Sequence, residues 1–235
     1  MAKNKRSKQS DTRTKSSQKK GKKSDDDDDD IDAGEAKAYI KSQNRGGAAC
    51  FALPTGVEKF NPKAKTYHLD VIPYRISDPN HPSGKPVGRL WYERTYWLHY
   101  NVGDKPITCL KSVGKKCPAC ERYRHLKKSK EEEDNERADE IKPKERQMFN
   151  VIDLDNEDDG VMLFEISPYN FTTTLEEEIK EAPEDYAAFA SLKKGYTLKV
   201  RFKQSSMGSG NYIEASRIDF EEREPYDKSI LKEAT

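Results

Sequence analysis

One stretch, HYNVGDKPITCLKSVGKKCPAC (residues 99–120), constrains this chain more than any other. It places an imidazole and three thiols in the order His-x9-Cys-x7-Cys-x2-Cys. A Cys-x2-Cys pair grips one tetrahedral ion with two thiolates, while amides of the turn point at the sulfurs. Cys109 and His99 complete a set of three sulfurs and one nitrogen around Cys117 and Cys120. Such a set favours Zn2+, and a filled tetrahedron leaves no open position for catalysis. The expectation is therefore one structural zinc ion held by His99, Cys109, Cys117 and Cys120. His125 competes for the fourth place, because Cys117-x2-Cys120-x4-His125 opens like a zinc knuckle, although Lys130 stands where that pattern needs its last ligand. A redox Cys-x-x-Cys belongs beside a βαβ pattern, which the chain lacks. Cys50, between Ala49 and Phe51, reads as a small buried hydrophobe.

The charge around this cluster is unevenly placed. Residues 1–23 carry ten Lys/Arg against one Asp, and residues 24–32 carry seven Asp. Residues 36–130 hold 19 basic and 6 acidic side chains, whereas residues 131–235 hold 14 basic and 27 acidic ones. A basic front half invites a polyanion, and an acidic back half keeps the whole in solution. Residues 1–35 have no apolar period, so they are expected to be a disordered basic arm followed by an extended run of aspartates. The run either acts as a solvated linker or mimics a phosphate backbone. No apolar signal-peptide core and no 18-residue apolar span occur, so no membrane association is expected, and unpaired thiols point to a reducing compartment.

From residue 36 the signals are mostly β. Strands are expected over 65–76, 89–100, 146–156, 160–167, 195–204 and 211–221, with hairpins across residues 155–160 and across the loop SSMGSG. Helical patterns cover 33–45, 117–140 and 172–195, the last broken at Pro183. Short strands with inserted helical segments predict a mainly β, Greek-key-like barrel. The expected organisation is a core over 36–222, a metal lobe at about 99–125 and a C-terminal tail over 223–235.

Rings and cations interleave through the basic half: Tyr67, Tyr74, Arg75, Arg89, Trp91, Tyr92, Arg94, Tyr96, Trp97, Tyr100, Arg122, Tyr123 and Arg124. Single-stranded nucleic acid asks for this combination, since cations follow phosphates and rings stack on unpaired bases. On one strand, Tyr92, Arg94 and Tyr96 share the face opposite His99 and are the better DNA candidates. Lys105, Lys111, Lys115 and Lys116 lie between the metal ligands and would line one wall of a cleft.

With the ligand set ending in KCPAC, the basic aromatic strands before it and the strands after it, residues 45–220 resemble the zinc-containing single-stranded DNA-binding (helix-destabilising) proteins of tailed bacteriophages, of the T-even gene-32 type. The resemblance implies an OB-fold barrel with a zinc lobe flanking a basic cleft. It implies base contacts at Phe164, in KPKERQMFNVIDLDNEDDGVMLFEIS, and at Tyr212, in the late hairpin that Lys199, Arg201 and Lys203 precede. It further implies coating of exposed strands during phage replication, recombination and repair in the cytoplasm of the infected host. Cooperative self-association through the basic arm and replisome contacts through acidic segments are the partners implied. The chain departs from the family in two ways: Gln147 or Met148 replaces one expected tyrosine, and the strongest acidic run is N-terminal.

Two other readings stand beside this one. A zinc-containing replication or transcription accessory factor would use the acidic second half to dock proteins. A nuclease would gather Mg2+ on Asp153, Asp155, Glu157, Asp158 and Asp159, but these crowd one exposed turn. No P-loop pattern is present, which disfavours a helicase.

Overall fold

The computed structural model describes residues 33–34, 58–103, 106–182, 184–208 and 210–234. The basic arm, the aspartate run, Cys50, Lys105 and almost all of the helix expected over 33–45 lie outside the described residues.

The described chain is mainly β, a curled sheet forming a half-barrel. Its strands are β1 (Lys59–Phe60), β2 (Thr66–Ile72), β5 (Arg94–His99), β6 (Ile107–Thr108), β7 (Lys144–Asp153), β8 (Met162–Ile166), β9 (Tyr196–Met207) and β10 (Gly210–Glu222). The order along the sheet is β1-β8-β7-β2-β9-β10. β7 is the shared strand. One edge pairs with β8, and the other pairs with β5 through residues 144–148 and with β2 through residues 150–153. β3 (Tyr74–Arg75) and β4 (Leu90–Trp91) form a separate small ribbon.

Side-chain alternation on β7 fills the core. Phe149 and Val151 face inward opposite Phe164 and Met162 of β8. Phe164 is fully buried at the centre of a ring cluster, with centroids 5.4 Å from Phe60, 5.2 Å from Phe171 and 6.0 Å from Phe202. Burying each such ring stabilises the fold by about 2–3 kcal/mol relative to leaving it in water.

The strand expected over 89–100 is two strands. The chain leaves alternation at Tyr92 and Glu93, so Trp91 and Tyr92 both enter the core and stack at 4.5 Å, and Tyr92 meets Phe189 edge-on at 4.8 Å. Glu93 is buried as well. Its carboxylate accepts from Thr95 Oγ1 at 2.7 Å and Gln147 Nε2 at 2.8 Å, and Gln147 in turn accepts from the Thr172 hydroxyl. Burial pushes the Glu93 carboxyl up to about 7, and Glu176 and Glu145 nearby act in the same direction against the two hydrogen bonds.

The helix expected over 117–140 is a helical hairpin of α1 (Pro118–Leu126) and α2 (Glu132–Ile141). Charge explains the break. α1 ends on Arg124 and His125, and α2 opens on Glu132, Glu133 and Asp134, so each helix end meets the charge its dipole favours. α3 (Thr172–Glu181) stops before Pro183, as the sequence predicts, and buries Leu175 and Ile179.

Residues 223–234 are not a free tail. Asp70, 2% exposed on β2, accepts from Thr197 Oγ1 at 2.6 Å and from Tyr226 Oη at 2.7 Å. Arg223 donates to the Ser191 carbonyl at 2.7 Å, and Tyr226, Ile230, Leu231 and Ala234 pack on the core. Gly195 permits this closure, because a Cβ there would collide with Arg223 Nη2 and with the Ser191 carbonyl. The packed unit therefore runs past residue 222.

Phe164→Ala should lower unfolding free energy by about 3–5 kcal/mol, read from the denaturant midpoint; a change within about 0.5 kcal/mol would place the ring at the surface instead. Glu93 has a folded-state pKa above its unfolded value, so its contribution is fully present below about pH 4.5 and is lost as pH rises through about 7. Glu93→Gln should therefore gain stability relative to the parent across that window, and a difference between the two chains that stays flat with pH would contradict the burial.

Candidate metal centre and surrounding surface

β5 delivers His99 to the edge of the sheet, where β6 pairs with it through Leu98 and His99. The chain then makes one 3-10 turn (Leu110–Val113) and enters α1 with Pro118 in the first turn and Cys117 as N-cap. A proline at that position sacrifices no intrahelical hydrogen bond. The turn is pinned to β5 from inside: Ser112 is fully buried and its Oγ accepts from Trp97 N at 3.0 Å, while Cys109 N donates to the Trp97 carbonyl at 2.8 Å.

These pieces bring four groups together. The donor atoms of His99, Cys109, Cys117 and Cys120 all lie within 4.8 Å of one another, and all four residues are buried. His99 Nε2 is 3.3 Å from Cys120 Sγ and 3.5 Å from Cys117 Sγ, and Cys109 Sγ is 3.4 Å from Cys120 Sγ. The thiols are free, so no disulfide competes. A tetrahedron with metal–sulfur bonds of about 2.3 Å has edges of about 3.5–3.8 Å, close to this spacing. His99 Nδ1 lies 2.8 Å from the Ile141 carbonyl. A carbonyl only accepts, so Nδ1 carries the proton and Nε2 presents its lone pair to the sulfurs. The four residues can hold one structural metal ion.

The sulfurs are electrostatically unequal. Burial works to raise Cys117, but the backbone amides of Cys120 and Leu110 outweigh it and hold the thiol at about 6. Burial, reinforced by the neighbouring Cys120 thiol, pushes Cys109 up to about 12, and Cys120 is raised by burial too. Of the three sulfurs Cys117 is the one shifted toward its thiolate, and a bound metal would favour the thiolate at all three. His125, the alternative ligand, is exposed on α1 and stands outside the four-group cluster.

The proposed nucleic-acid residues divide sharply. Tyr67 is buried between Phe60 and Phe202, and its hydroxyl accepts from Lys63 N. Tyr92 and Phe164 are core rings. Arg94 is 6% exposed and donates to Asp78 at 2.8 Å. Tyr96 is buried with Met148 and Leu163 and donates to Glu165. All five side chains are buried among other residues of the described chain. Arg75, Lys111, Lys115, Lys116, Arg122 and Arg201 are exposed, and Arg89 and Tyr212 are half-buried. Lys199 and Lys203 reach solvent but pair with Glu221 at 3.0 Å and Glu214 at 3.1 Å. They sit on the β9–β10 hairpin, a different part of the chain from the metal loop and α1.

Two supporting groups escaped the sequence reading. Ser112 carries no local signal. The Ile141 carbonyl reaches His99 from 42 positions away. Trp97 packs against the cysteine cluster, which alternation hinted at by placing it on the His99 face.

No protein-family model matches the chain, and no curated protein matches it. No helix among the described residues is long and apolar enough to cross a membrane.

His99→Ala should lose the metal that the parent chain carries at one equivalent, while His125→Ala should keep it, as measured by elemental analysis of purified protein. Retention by His99→Ala and loss by His125→Ala would reassign the fourth ligand.

Proposed function

We propose that the protein is a sequence-tolerant single-stranded DNA-binding protein, not an enzyme, in which one structural zinc ion holds a cationic lobe beside an OB-like half-barrel. The observation that carries this reading is the charge of the metal loop. Residues 106–120 contain Lys111, Lys115 and Lys116, all exposed, and no carboxylate. The loop is tied at both ends by ligands and in its middle by Ser112, so its cations are held in place before any ligand arrives. Preorganised cations lose less entropy when they meet phosphates. Exposed Arg122 and Arg124 and half-buried Tyr123 continue the surface along α1, and half-buried Trp97 and Tyr100 flank it on β5 and just beyond.

The β9–β10 hairpin offers a second group in Arg201, Lys203 and Tyr212. Lys203 is exposed, and the carboxylate of its partner Glu214 also accepts from Ser205 Oγ at 2.7 Å, so Glu214 stays hydrogen-bonded when the lysine turns to a phosphate. Zinc is the ion this donor set favours. Coating of exposed strands would melt secondary structure by mass action, without nucleotide hydrolysis. The setting, phage replication, recombination and repair inside an infected cell, rests on the family resemblance alone, as do self-association through the basic arm and replisome contacts through acidic segments.

Titration with oligo-dT and with duplex of the same length, over a salt series, tests the proposal. Single strand should bind more tightly. Replacing Lys111, Lys115 and Lys116 together with Ala should reduce the log–log salt slope by about 2, since each phosphate neutralised on a single strand contributes roughly 0.7. Equal affinity for duplex would refute the single-strand reading, and an unchanged slope in the triple variant would remove the metal loop from the binding surface.

A further inference from the structure

The metal loop exposes more than lysines. Among the described residues the exposed large hydrophobics are Val87, Val102, Ile107, Leu110, Val113, Tyr169 and Met207. Four of these seven fall within residues 102–113, and clustering of this kind marks a surface that meets another apolar phase. Leu110 and Val113 begin and end the 3-10 turn, where side chains three apart eclipse one another, so both project from one side while Ser112 is buried. Ile107 precedes them on β6, opposite His99. Ile107, Leu110 and Val113 are 42%, 43% and 39% exposed. Lys111, Lys115 and Lys116 stand exposed among these aliphatic groups, and no carboxylate interrupts residues 106–120.

Nucleic acid accounts for the lysines alone, because an aliphatic side chain offers no ring on which a base can stack. A partner helix needs a groove for its apolar stripe, whereas these aliphatic groups project from a turn. A lipid surface deforms around projecting side chains and takes them up at the boundary between headgroups and acyl chains. Where its headgroups are anionic, it also attracts the lysines. We infer that the face formed by Ile107, Leu110, Val113, Lys111, Lys115 and Lys116 is a docking surface for an anionic lipid bilayer. The contact involves one leaflet and uses no spanning segment, so the lack of a long apolar run in the sequence does not bear on it. A metal on His99, Cys109, Cys117 and Cys120 would hold the loop closed, so its aliphatic groups need not be ordered at the moment of insertion. The lysines serve phosphates of either kind and the aliphatic groups serve only the bilayer, so strand and bilayer compete for the loop. The inference goes beyond the proposed strand binding and does not need it.

Co-sedimentation of the metal-loaded full chain with lipid vesicles, without nucleic acid, tests it. Vesicles of phosphatidylcholine and phosphatidylglycerol in equal parts should pellet the protein. Vesicles of phosphatidylcholine alone should pellet far less, since each lysine near an anionic surface raises partitioning by about fivefold. The variant Leu110→Ser with Val113→Ser keeps every lysine and every ligand. At unchanged metal content its partitioning onto the mixed vesicles should fall by about tenfold, while its log–log salt slope on oligo-dT stays at the parent value. Leu110→Trp places a fluorophore on the face itself, and its emission, taken as the difference from the parent, should shift to the blue on mixed vesicles. No binding to mixed vesicles would overturn the inference and return the face to a protein partner. Equal binding to neutral vesicles, undiminished partitioning of the double variant, or an unshifted emission from Leu110→Trp would each overturn it as well. Because vesicle binding is read without DNA, its failure leaves the strand-binding titration untouched, and failure of that titration leaves this result standing.

Discussion

Ten residues of β7 hold the molecule together. One edge of the strand carries β8, and the other is divided between β5 and β2. Side chains alternate with period two, so this single register decides several things at once. It turns Phe149 and Val151 into the core, sets Gln147 against Glu93, and runs β5 outward so that His99 arrives at the sheet edge. A slip by one residue would expose the core rings and carry His99 away from the cysteines. The metal centre is therefore an extension of the sheet register, and its location depends on pairing between segments some fifty residues apart.

The lobe itself has little else to stand on. Its buried cluster consists of Cys109, Cys117, Ala119 and Cys120, with Trp97 alongside. That is too small an apolar area to offset the entropy of ordering a loop of this length. Metal coordination by the four clustered residues would supply the difference, because binding energy at such a site is folding energy. The same scarcity of core leaves Ile107, Leu110 and Val113 at the surface, since the small lobe has no interior to receive them. Fixed lysines and fixed aliphatic groups on one loop are the consequence, and both functional readings draw on it.

Much of this was legible. The three sulfurs follow from spacing, since thiolates of a Cys-x2-Cys pair at a helix start can converge on one ion with a third cysteine nearby, while two histidines competed for the fourth place. Both late hairpins and the break before Pro183 follow from alternation and backbone chemistry. What covers the aromatic strand was not legible. Its alternation was right as far as Arg94, Tyr96 and Leu98 sharing a face, yet that face is covered, because Asp78 reaches across to Arg94 and Met148, Leu163 and Glu165 close over Tyr96. Nor was the covering of Phe164. A ring on a short strand looks alike whether it faces solvent or four other rings.

The sequence by itself determined which atoms can bind a metal, where charge is concentrated and which residues share a face, because these depend on side-chain chemistry and on local periodicity. Only the tertiary structure decided which face is covered, that His99 rather than His125 completes the tetrad, and that residues 223–234 close over Asp70. Those outcomes rest on contacts between distant segments: the Ile141 carbonyl on His99, Tyr226 on Asp70, Phe171 on Phe164. Burial is a property of the assembled chain, and no window of neighbouring residues contains it.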